Sequence, residues 1–117
     1  MKFEALLAIV SEELEDKAIE TAKNAGAGGV TIIKGRNIGL KEKKVFFGLT
    51  FEENVSVLLF VLPRKLTMSI FKALRKELDL ENKEDAKGMV MTLPITHLTG
   101  IDMSEIELFE NEILDFL

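Results

Sequence analysis

The chain has 117 residues, a formal net charge of −5, one histidine and no cysteine. That length suits a single domain (1–117) that buries roughly 65% of its unfolded surface. The lack of cysteine excludes disulfides, thiolate metal sites and cysteine nucleophiles, and fits a reducing cytoplasm.

The opening MKFEALLAIV is too short and, with Glu4, too acidic for a signal peptide. No apolar run approaches the roughly 20 residues of a membrane span, so direct membrane insertion is not expected. The charge is unevenly placed. Asp102, Glu105, Glu107, Glu110, Glu112 and Asp115 fall in the last sixteen residues with no base among them. Taking these six from the 20 acids leaves 14 against 15 bases over residues 1–101. That near-neutral body has no basic footprint for nucleic acid.

Phe3 to Val10 reads as an apolar strand. Ser11 is placed as the N-cap of a helix, with Glu12, Glu13 and Asp16 at the positive end of its dipole. Leu14, Ala18, Ile19, Ala22 and Ala25 recur at helical spacing and Gly26 is a natural stop. Gly29 to Lys34 is rich in β-branched residues and predicts a second strand. Asn54 to Leu62, the most apolar run of the chain, predicts a central strand closed by Pro63.

A second helix follows, with Leu66, Ile70, Phe71, Leu74 and Leu78 on one stripe and Lys65, Lys72, Arg75 and Lys76 on its wet side. Asp79 to Lys87 is a charged loop, and Gly88 to Leu93 a fourth strand ended by Pro94. Ser104 and Glu107 form a capping box ahead of Ile106, Phe109, Ile113, Phe116 and Leu117, which predicts an amphipathic helix over 104–117.

The order β-α-β, loop, β-α-β points to an α+β, ferredoxin-like βαββαβ sandwich with both helices on one sheet face. Strands as apolar as Val55 to Leu62 imply that the other face is covered too, so a homo-oligomer is expected.

Between the second and third predicted strands, Gly35 to Glu53 forms a long connection, and loops of that length are usually either functional or disordered. Lys41, Lys43 and Lys44 read either as a solvated loop or as a contact for phosphate or an acidic partner. Arg36 is better placed, because a guanidinium at a strand exit can hold phosphate with two parallel bonds. Phe46 and Phe47 read as a partner anchor or as a β-extension.

AGGVTIIKGRNIG, a loop with VFFG, then VSVLLFVLP and KGMVMTLPITHLTGI together resemble the P-II-type signalling proteins of nitrogen regulation, and within them a divergent P-II-like subgroup. The resemblance covers residues 1–101. It implies a homotrimer with inward-facing sheets, and an effector cleft between subunits. The effector would be a small molecule such as an adenine nucleotide (ATP, ADP or AMP); no cofactor is required. Residues 36–53 would be the long T-loop, which acts on a membrane transporter or cytosolic enzyme through Lys41, Lys43, Lys44 and Phe46. By the same resemblance Gly35, Arg36, Asn37, Ile38 and Gly39 form the ligand-binding base of that loop. Lys87 and Gly88 end a second, phosphate-gripping loop.

The second loop departs from the family pattern. Glu81, Glu84 and Asp85 stand where nucleotide-binding members place glycines, so weak nucleotide binding at best is expected. A scaffold without an effector site, or another ferredoxin-like small-ligand or divalent-ion module, are the alternatives. His97 stands alone and is not read as a metal ligand. No nucleophile-and-base set is present, so no catalytic residue and no enzyme activity are expected.

Overall fold

A computed structural model describes residues 2–38, 45–46, 49–50, 53–82 and 87–100. The main sheet is built from β1 (Phe3–Ser11), β2 (Thr31–Asn37), β5 (Glu53–Pro63) and β6 (Gly88–Pro94), in the order β2-β5-β1-β6 with every neighbour antiparallel. This is the expected ferredoxin-like α+β arrangement. Between β2 and β5, β3 (Val45–Phe46) pairs with β4 (Leu49–Thr50) as a separate two-stranded hairpin, so Phe46 does not extend the main sheet. The expected helix over 104–117 lies outside the described residues.

Strand alternation decides which residues form the core. Leu6, Ala8 and Val10 of β1 and Leu58, Phe60 and Leu62 of β5 point to the helices and are buried, together with Leu66, Ile70 and Leu74 of α2 (Arg64–Glu77). The first helix presents only Ala18 and Ala22 as buried residues and packs chiefly against α2.

Two expectations need correction at that helix. Ser11 does not cap it: the residue ends β1, is fully buried, and its Oγ has no hydrogen-bond partner. A 3-10 turn (Glu12–Leu14) intervenes before α1 (Glu15–Asn24), because the Ser11 backbone is committed to the sheet end, where its N–H donates to the Lys87 carbonyl at 3.1 Å.

The Gly26 stop is observed, in the form of a Schellman turn. Gly26 takes φ 113°, its N–H donates to the Lys23 carbonyl, and the Ala27 N–H donates to the Ala22 carbonyl. At the end of α2 the same turn is made by Asp79 at φ 52°, a position the sequence did not flag.

Among the described residues, no helix covers the opposite sheet face. Phe3, Ala5, Leu7 and Ile9, then Val57, Leu59 and Val61, with Ile33, Met89, Met91 and Leu93, alternate with the core residues and stand only partly covered. Ile33, Val61 and Leu93 are 49%, 45% and 42% exposed. Four strands of seven residues span on the order of 400 Å², within the range of roughly 300–600 Å² for the largest apolar patch on a typical monomer, which is often functional.

Candidate functional site

Gly35, Arg36 and Asn37 are strand residues. They pair with Val55, Asn54 and Glu53, so β2 runs three residues further than the apolar pattern indicates and the loop begins later. Antiparallel pairing continues there because β5 already extends to Glu53, and a free ladder position opposite a polar residue still gains backbone hydrogen bonds. Gly35 therefore does not break the strand. A Cβ at this position would meet Val55 Cγ2 at 3.6 Å, an ordinary contact, so no close approach inside the chain demands glycine.

Arg36 lies on the helix side of the sheet and has no ion pair among the described residues, whereas Asn37 lies on the open side with a buried, unpartnered Nδ2. Ile38 follows at 45% exposure. Gly39, Lys41, Lys43 and Lys44 lie outside the described residues, and Phe46 is placed only as a backbone member of β3.

At the other edge of the sheet, Gly88 opens β6 opposite Val10. Here glycine is required: a Cβ would stand 2.5 Å from the Ile9 carbonyl oxygen. Lys87 is held by Glu13 at 2.7 Å. The two predicted halves of the site thus reach the same end of the sheet on opposite edges. β5 and β1 lie between them, so the separation is about 14 Å at the usual strand spacing. One chain does not bring them together.

The base of the long loop is tied to α1 by a network that the sequence reading missed. Lys34 Nζ lies 2.5 Å from Glu15 Oε1 and 3.3 Å from Ser56 Oγ, and the Ser56 hydroxyl donates to the same carboxylate oxygen at 2.6 Å. Glu12 adds a longer contact to Lys34 at 3.8 Å. The hydrogen bonds from Lys34 and then Ser56 hold the Glu15 carboxyl below its ordinary value, against the partial desolvation of the group. Lys34 is raised in turn, chiefly by its bond to Glu15. The available signal was Ser56, the single polar residue between Val55 and Leu62.

Among the described residues, no group of three or more metal-ligating side chains occurs, and His97 is exposed. No described helix is long and apolar enough to cross a membrane. A cavity of about 150 Å³ beside Ile19, Lys23, Gly28, Gly29 and Phe60 lies away from both halves of the predicted site.

No protein-family model matches the chain, and no curated protein matches it by sequence. Solved structures do match. A DUF3240 family protein from Shewanella baltica OS155 superposes with a TM-score of 0.63 at 10% identity, over 87% of this chain and 99% of that one. CPII from Thiomonas intermedia K12, bound to ADP, AMP and acetate, gives 0.59 at 17% identity, over 81% and 90%. Arabidopsis thaliana PII bound to citrate gives 0.60 at 20% identity, over 80% and 78%. The fold is therefore P-II-like, of a divergent kind.

Proposed function

We propose that this chain is the subunit of a P-II-like regulatory homotrimer that senses a small anionic effector and controls a transporter or enzyme through its long loop, without catalysing a reaction. The observation that carries this reading is the division of the predicted site. Its Gly35–Ile38 half and its Lys87–Gly88 half lie at one end of the sheet on opposite edges. A second copy packed edge to edge would complete a cleft between subunits, and the bare apolar sheet face supplies a reason to associate. ADP, AMP, acetate and citrate, bound to the two structural neighbours, are all anions. Arg36, without an ion pair among the described residues, is the cation best placed to receive one.

Adenine nucleotide binding is expected to be weak. Glu81 sits in the second loop, and Lys87 is engaged by Glu13, so a phosphate has to displace a carboxylate. That ion pair also favours a second reading, in which the trimer persists as a scaffold that binds its target without an effector.

Light scattering combined with thermal shift separates these readings. A trimer stabilised by AMP, ADP, ATP, 2-oxoglutarate or bicarbonate supports the sensor, and a ligand at 100 times its Kd adds about 2.7 kcal/mol. A trimer indifferent to all of them supports the scaffold, and a monomer at micromolar concentration refutes both. Arg36→Ala is expected to abolish the ligand response and leave the trimer intact.

A further inference from the structure

The outward face of α2 is a basic strip. Lys65, Met68, Lys72 and Lys76 follow one another at i, i+3, i+7 and i+11, opposite the buried Leu66, Ile70 and Leu74, and Met68 is 50% exposed. Arg64 is engaged by Glu4 and Arg75 by Glu81, but Lys65, Lys72 and Lys76 have no ion pair among the described residues.

We infer that this strip is the docking site of the chain's own acidic C-terminal segment, residues 104–117. Three observations converge on that occupant. The chain leaves the sheet beside the start of α2: Pro94 pairs with Glu4, Glu4 reaches Arg64 at 3.8 Å, and the Arg64 N–H donates to the Lys2 carbonyl at 2.9 Å. The segment has the length to follow α2, since both count 14 residues, about 21 Å as helix. Its charge order also matches. In the helix that the capping box predicts, Glu105, Phe109, Glu112 and Phe116 share a face at i, i+4, i+7 and i+11.

Laid alongside α2 in the same direction, that face sets Glu105 against Lys65, Phe109 against the Met68 sulfur, Glu112 against Lys72 and Phe116 against the Lys76 stem and ammonium. The open sheet face is the rival surface. Among the described residues it offers no base, so docking there by the Ile106, Phe109 and Ile113 stripe would leave Glu105 and Glu112 without a cationic partner.

The chain has no cysteine, so a pair of introduced thiols reports the docking without background. Full-length Met68→Cys/Phe109→Cys is expected to form a disulfide within one chain on mild oxidation, and Val61→Cys/Phe109→Cys, on the open face, is expected to form none. Adding Lys72→Glu should lower the Met68–Phe109 yield several-fold, and Glu112→Lys on top of it should restore the yield. A folded protein that gives no Met68–Phe109 disulfide would overturn the inference. So would a disulfide between chains, a preference for Val61, or a yield indifferent to Lys72→Glu. The thiol readout does not depend on effector binding, so it is independent of the fate of the sensor reading.

Discussion

Lys34 of β2 and Glu15 in the first turn of α1 meet at 2.5 Å, and Ser56 of β5 hydrogen-bonds to both. The triangle joins a helix start to the two strands that carry the base of the long loop.

The pH dependence of stability follows from the signs of the two shifts. Glu15 is lowered, so its contribution is complete above the ordinary carboxylate range and fades as the pH falls through its depressed value. Lys34 is raised, so its contribution persists through the ordinary lysine range and is lost as the pH rises past its elevated value. Glu15→Gln should melt below the parent at neutral pH, and the gap should close on acidification. Thermal melts of both proteins at several pH values test this; a gap that widens in acid would contradict it. Ser56→Ala, which removes one donor to the same carboxylate, should cost about 1 kcal/mol in denaturant titrations.

Gly88→Ala should be among the most disruptive single-methyl additions in the chain. The new Cβ would lie 2.5 Å from the Ile9 carbonyl oxygen and 3.1 Å from Val10 Cγ1, so the start of β6 has to move off β1. Overpacking of this kind costs roughly 1–3 kcal/mol. Gly35→Ala is the control: at 3.6 Å from Val55 it should change the stability of the isolated subunit by less than Gly88→Ala does, as read from paired urea unfolding curves.

Val61→Glu should dissociate the proposed trimer while leaving the subunit folded. Val61 is 45% exposed in the single chain, so a carboxylate there can reach water, but the same carboxylate buried against a second sheet would be unpaired. Light scattering should give the monomer mass, with circular dichroism close to that of the parent. A trimer that survived this substitution would mean that the open face is not the contact.

Gly26→Ala should lower stability by about 1 kcal/mol, because φ 113° places a Cβ in a region that L-residues avoid. Denaturant unfolding of the two proteins is the measurement, and equal midpoints would show that the turn can re-form without glycine.

Much of this architecture was legible from local chemistry. The β-branched and apolar runs marked all four main strands, the 3.6-residue stripes marked α1 and α2, and Gly26 marked a helix stop that the backbone then makes. Each of these depends on neighbours within one or two turns of chain, which a sequence displays directly. The wet face of α2 was read correctly for the same reason: Lys65, Lys72, Arg75 and Lys76 are set by spacing alone.

Where the reading failed, the deciding partner was distant in sequence. Ser11 looked like an N-cap, but its backbone is held by Lys87, 76 positions away, and the sheet claimed it. The long connection looked as if it began at Gly35, but pairing with Val55 kept β2 extended to Asn37. The Glu15–Ser56–Lys34 triangle joins three elements whose alignment exists only once β2 has paired with β5. The sequence by itself determined which segments become helix or strand and which side of each is apolar. Only the tertiary structure decided that the two halves of the candidate site stand on opposite sheet edges, because strand order is set by long-range pairing and not by any residue's own preference.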